Sequence, residues 1–147
     1  MKLIRHGSSG QEKPGILDAD GGFRDLSSIV TDIDGESLSP DSLSSLGQVD
    51  LMSLPVVDST TRLGPCVGNI GKLVCIGLNY SDHAKESGMP IPTEPIVFMK
   101  ATSAISGPND NIELVRGSDK TDWEVELGIV IGSHTKYVSE DLSLIHI

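Results

Sequence analysis

His83 and Glu86 stand three residues apart in the stretch GLNYSDHAKESG, and Glu124 and Glu126 stand two apart in DWEVELGIVIG. Lys100 closes a third stretch, PIVFMK. Each pattern suggests a chemistry. On a helix, positions three apart share a face, so Glu86 can accept a hydrogen bond from one ring nitrogen of His83. That would fix the tautomer and raise the basicity of the other nitrogen, as in a general base acting on water or a carbon acid. On a strand, alternate residues share a face, which would set Glu124 and Glu126 side by side about 7 Å apart. Two carboxylates at the edge of a core repel each other and resist burial. A divalent cation reverses both penalties, and carboxylate oxygens are the ligands Mg²⁺, Mn²⁺ and Ca²⁺ prefer. Lys100 could meet an anionic group or reach solvent. By spacing alone the plainer description of each has the stronger claim: a surface helix with an incidental pair, a solvated strand face, a lysine in water.

The elements that must position these residues can be read around them. Leu73 to Leu78 form an apolar strand that runs straight into the His83 segment, where Asn79 can cap a helix with Asp82 reaching back to it. IVFMK at 96–100 and IELV at 112–115 read as strands, and WEVELGIVIG at 123–132 is the longest and clearest. MPIPTEP, with three prolines, separates the first two and cannot be regular structure. Upstream, KLIR predicts a strand, and GILDADGGFRDL predicts a hairpin turning on Asp20-Gly21-Gly22, with positive φ supplied by the turn residues. In SPDSLSSLG, Ser39 suits an N-cap, Pro40 the first helical position and Gly47 the position after the helix, with Leu43 and Leu46 inward. LPVVD is a short strand. RLGPCVGNIG, rich in glycine, reads as a linker, which divides the chain into residues 1–66 and 67–147.

The chain has 147 residues and a net charge of −10. It has no cluster of Lys and Arg to displace the counterions of a nucleic acid, and its acidic balance disfavours anionic membranes. Cys66 and Cys75 match no zinc or redox spacing. No apolar run reaches the length of a membrane span, and MKLIRHGSSG lacks the apolar core of a signal peptide. The expectation is a cytoplasmic protein. His6, His134 and His146 have no partner at diagnostic spacing.

Taken together and in order, GLNYSDHAKESG, PIVFMKATSAISGP and DWEVELGIVIG resemble the catalytic domain of the fumarylacetoacetate hydrolase family. The preceding residues resemble the two-domain bacterial members, often labelled ureidoglycolate lyase or 2-hydroxyhepta-2,4-diene-1,7-dioate isomerase. The resemblance implies a β-rich α+β fold, with a small N-terminal α/β domain followed by the first part of a mixed β-sandwich roll. It implies Mg²⁺ or Mn²⁺, with Ca²⁺ as an alternative, bound by Glu124 and Glu126 as two of three acidic ligands. It implies a His83–Glu86 catalytic dyad on a short lid helix, Lys100 near the substrate carboxylate, and a homodimer at full length. The implied activity is hydrolysis of a C–C bond in a 2,4-diketo acid, with isomerase, decarboxylase or ureidoglycolate lyase activity as alternatives on the same scaffold. Family members run far beyond residue 147, where the third metal acid and a substrate-polarising lysine lie, and the ending SLIHI does not match them. The expectation is therefore a C-terminally truncated chain that is inactive alone. A reading of another class is a non-catalytic fragment or association module.

Overall fold

The computed structural model describes residues 1–141; His146 and the SLIHI ending lie outside them. Two compact units are present, one made of Met1–Gly68 with the chain from Gly107 onward, the other of Asn69–Ser106.

The first unit is built on an antiparallel sheet. Strands β1 (Leu3–His6), β2 (Lys13–Leu17), β3 (Phe23–Asp25) and β4 (Val56–Val57) lie in the order β1-β2-β3-β4. The β2–β3 hairpin turns as its residues predict, and Asp18 organises it. Its Oδ1 accepts from the backbone N–H groups of Gly22 at 2.7 Å and Asp20 at 3.1 Å, and its Oδ2 accepts from Arg24 Nε at 2.8 Å. Gly21 supplies the left-handed backbone, at φ +83°. Helix α1 (Pro40–Leu46) starts where expected, with Ser39 Oγ accepting from the Ser42 N–H at 3.3 Å. Leu46 is buried and Leu43 half-buried. Gly47 caps the helix at φ −64°, so its freedom to adopt positive φ is unused. Ile16, Leu26, Ile33, Leu46 and Leu54 form the core, with Leu3, Val30 and Leu38 among the residues packed on it.

A guanidinium–carboxylate network joins distant parts of this unit. Arg62 donates from Nε and Nη2 to both oxygens of Asp110, at 2.7 and 2.6 Å, and from Nη1 to Glu12 Oε1 at 2.9 Å. Arg5 grips both oxygens of Asp32, at 2.6 and 2.9 Å. Such fork-to-fork pairs fix geometry as well as charge. The Arg62 hydrogen bond is the main cause holding the Glu12 carboxyl below its ordinary range, and it does the same for Asp110. Burial pushes Asp32 up, but the bonds from Arg5 and the Ile33 N–H outweigh it and its pKa is lowered.

The second unit holds β5 (Leu73–Gly77), α2 (Ser81–Glu86) and β6 (Ile96–Lys100), with β5 and β6 paired antiparallel from Leu73↔Lys100 to Gly77↔Ile96. The register sets Val74, Ile76, Val97 and Met99 on one face, all exposed. Cys75 and Phe98 lie on the other. The ribbon is thus apolar on both sides.

Two expected strands are not formed. Residues 112–115 and 123–132 carry no regular structure. A strand is held by hydrogen bonds to a neighbour, and no described residue is in ladder register with these stretches. Their apolar side chains consequently stay in water: Trp123 is 90% exposed and Val125 95%.

These contrasts predict mutational outcomes. Leu26, fully buried, should cost about 2–5 kcal/mol when truncated to alanine, whereas Val125→Ala should stay within about 0.5 kcal/mol. Urea denaturation of both variants checks this, and equal losses would contradict the placement of the core. The network predicts an acid response. A carboxylate with depressed folded pKa contributes stability that is full above its unfolded pKa and is lost as pH falls through the folded value. The parent should therefore lose stability below about pH 4, and Arg62→Gln should flatten that loss, measured as melting temperature against pH.

Candidate active site

The chain leaves β5 through Leu78, which holds a left-handed φ of +49°. Leucine adopts this conformation at a cost of about 1–2 kcal/mol, and such strain clusters at sites where the chain must be aimed. Here it turns an apolar strand into the segment that carries His83. Nothing in the residue types of CIGLNY announces the turn, so sequence reasoning missed it.

Helix α2 follows. Its N-cap is Tyr80, with no side-chain cap, so the expected Asn79 cap is corrected. Asp82 Oδ1 accepts from the adjacent His83 N–H at 3.1 Å instead. The C-terminal end is firmer. Gly88, at φ +67°, directs its N–H to the Lys85 carbonyl at 3.2 Å, and Met89 directs its N–H to the Ala84 carbonyl at 2.9 Å. These are the two bonds of a Schellman motif, which needs a left-handed residue and favours glycine. Ser87 Oγ also donates to the His83 carbonyl at 2.8 Å. Ala84 is buried, and His83 and Glu86 are both exposed. No hydrogen bond joins His83 to Glu86 among the described residues. The helix therefore carries the pair, but the expected orienting bond is not formed.

Beside the start of this helix lies an open depression of about 280 Å³, lined by Leu78, Asn79, Ser81, Thr93, Glu94 and Pro95 among others. Its walls mix amide, hydroxyl and carboxylate groups with proline and leucine carbon, the composition of a small polar-ligand site. Lys100 ends β6 and is exposed. A second cleft, in the first unit, includes Arg62 and Asp110 in its wall, but those charges already satisfy each other.

Glu124 and Glu126 lie on the exposed, irregular stretch described above, so no sheet face holds them side by side. As oxygen donors they suit a hard cation in kind. In number they fall short: no group of three His, Cys, Asp or Glu side chains able to hold a metal occurs among the described residues. The residues present do not by themselves make a metal site. No described helix is long and apolar enough to cross a membrane.

Comparison with known proteins gives a consistent result. The family described as "Fumarylacetoacetate (FAA) hydrolase C-terminal" matches residues 72–147. A protein of Burkholderia lata, provisionally named a hydrolase, is 58% identical over 144 residues, covering 98% of this chain and 51% of the relative. A similarly named protein of Burkholderia ambifaria has the same identity and coverage. A solved structure of fumarylacetoacetate hydrolase from psychrophilic Exiguobacterium antarcticum is 30% identical, with a TM-score of 0.71 over 99% of this chain and 52% of its own. The chain spans about half the length of the curated relatives it matches.

Because His83 and Glu86 are exposed and unbonded to each other, replacing them should cost no fold stability. His83→Ala and Glu86→Gln should melt with the parent chain, whereas Gly88→Ala, which forces alanine into left-handed backbone, should speed amide exchange at Met89. A marked loss of melting temperature in His83→Ala would assign the histidine a structural role.

Proposed function

The chain belongs to the fumarylacetoacetate hydrolase family, and from that premise we propose that the whole protein hydrolyses a C–C bond in a 2,4-diketo acid, with His83 as general base and Glu86 as its orienting carboxylate. One observation carries the reading. Within the family-matched region, a strained strand exit leads into one short helix that carries an exposed His83 and Glu86 and whose first residue, Ser81, lines a polar depression.

The chemistry follows from the residues. His83 takes a proton from water, and the hydroxide so formed adds to the distal carbonyl carbon of the substrate. The C–C bond on that carbon then breaks, its electron pair leaving as the enolate of the 2-oxo acid. Proton return to the enolate gives two acids, with water the only other reactant. Glu86, once swung onto His83, would hold the imidazole tautomer and stabilise the imidazolium. Lys100 would meet the substrate carboxylate. Glu124 and Glu126 would give two ligands to Mg²⁺ or Mn²⁺, completed by the third acid that family members carry beyond the length of this chain; Ca²⁺ is an alternative. Such a cation supplies Lewis-acid stabilisation of developing negative charge. The full-length protein would act on a small 2-oxo or diketo acid as a homodimer.

The test joins this chain to the half of the Burkholderia lata relative that it does not match. The joined protein should hydrolyse an acylpyruvate when given Mg²⁺ or Mn²⁺. His83→Ala should lower kcat by about 10²–10⁴-fold, and Glu126→Ala should abolish the metal-dependent rate. Turnover by His83→Ala at the parent rate would remove the histidine from the reaction. Turnover of a dienedioate with none of an acylpyruvate would move the protein to the isomerase reading.

A further inference from the structure

The depression beside α2 is polar, yet no cation stands in its wall. Asn79, Ser81 and Thr93 bring an amide and hydroxyls, Glu94 brings a carboxylate, and none of the lining residues is Lys, Arg or His. Among the described residues, the side chains of Asn79, Ser81, Thr93 and Glu94 are not used in any hydrogen bond or ion pair. Their donors and acceptors are open to a ligand. β6 shows which end of a substrate that would be. It begins at Ile96, next to Pro95 of the lining, and Lys100 stands four residues further on, about 13 Å along the strand. With Lys100 at the substrate carboxylate, as proposed above, the depression takes the far end of the molecule, the acyl tail.

We infer that Glu94 is a specificity-determining residue: it excludes a second carboxylate from the tail end, so that the protein takes 2,4-diketo acids whose acyl tail is neutral and bears a hydroxyl. The inference rests on the reaction proposed above and narrows its substrate. A tail carboxylate would meet Glu94 with no cation in the lining to offset it. Two unit charges about 4 Å apart in water repel enough to weaken binding about fivefold, and exclusion of water strengthens the repulsion. A tail hydroxyl can instead donate to Glu94 and accept from the Asn79 amide or from the hydroxyl of Ser81 or Thr93. Leu78 and Pro95 supply carbon surface for the rest of such a tail. A dienedioate carries a carboxylate at each end, so the same wall disfavours it.

The test compares two acylpyruvates of equal length, 4-hydroxybutanoylpyruvate and succinylpyruvate, whose tails end in an alcohol and a carboxylate. In the protein joined to the unmatched half of the Burkholderia lata relative, kcat/KM should favour the alcohol at least about fivefold. Glu94 is exposed, so its replacement leaves the fold intact. Glu94→Gln should raise kcat/KM for succinylpyruvate about fivefold and lower it for the alcohol. Both changes should lie in KM, because the tail is held alike in the ground and transition states. Glu94→Lys should reverse the preference. Glu36→Gln, which removes the same charge from an exposed position in the first unit, should keep the parent's ratio. Salt at about 0.5 M should shrink the preference by screening. Equal or better use of succinylpyruvate by the parent, or an unmoved ratio in Glu94→Gln, would overturn the inference and leave the hydrolysis standing. A second measurement needs no turnover: the amide shifts of Ser81, Thr93 and Glu94 in this chain alone, titrated with each compound. Saturation should come at lower concentration with the alcohol, and Glu94→Gln should bring the two titrations together. That result beside a joined protein that cleaves neither compound would sink the proposed reaction and keep the selectivity. No shift with either compound, beside a joined protein that cleaves neither, would overturn the inference.

Discussion

A β-strand exists only through its neighbours, and that constraint divides this molecule. Hydrogen-bonding groups of the backbone must pair with one another or with water, and an extended segment pairs with another strand or not at all. In the first unit β1, β2 and β3 find ladders, and the apolar residues they project meet Leu26, Ile33 and Leu46 in a core. From residue 112 the chain has strand-like sequence without a ladder among the described residues. Fully burying a Val, Leu or Ile side chain is worth about 1.5–3 kcal/mol, and the stretch from Ile112 to Ile131 leaves that gain unrealised at one residue after another. The contrast lies in pairing, since WEVELGIVIG is richer in strand-forming residues than KPGIL of β2, which does form a ladder.

The Arg62 network is where, within the first unit, the chain after residue 107 is held to the Met1–Gly68 part. Asp110 accepts from Arg62 and, through Oδ2, from the Gly107 N–H at 2.7 Å. Arg62 is also fixed to Glu12 and to the Gly7 carbonyl at 3.1 Å. The start of the 107–141 segment is thus anchored by charge and hydrogen bonding, while the stretch that carries Glu124 and Glu126 continues exposed and without regular structure. An exposed carboxylate pair outside any sheet is not kept within the tolerance that chemistry at a metal needs. The His83 helix is better prepared, with a strained entry at Leu78 and a Schellman exit at Gly88.

What the sequence disclosed follows the range over which each signal acts. The β2–β3 turn, the Ser39-Pro40 start of α1 and the apolar runs of β5 and β6 are fixed by residues within a few positions of one another, and all form as read. The strands expected at 112–115 and 123–132 fail because periodicity reports which face a residue would take, not whether a partner strand is present. The Asn79 cap fails by one residue, since Leu78 takes left-handed backbone and shifts the helix start to Ser81. The Arg62 network joins residues 48 to 55 apart in sequence, and no local pattern marks such pairs. The three motif stretches were legible as a family set. Their joint geometry was not, because it rests on contacts that single stretches do not encode.

The central claim is that pairing separates the β1–β4 sheet from the family-matched strand sequences around Glu124 and Glu126 in the same unit. Amide hydrogen exchange of this chain, read residue by residue, tests it most directly. The account predicts slow exchange at Leu17, Asp25 and Leu26, whose N–H groups are bonded to the carbonyls of Lys2, Pro55 and Pro14, and exchange near the unstructured rate at Val125 and Ile129. Protection at Val125 and Ile129 equal to that at Leu26 would mean that this stretch finds its ladder unaided, and would contradict the account.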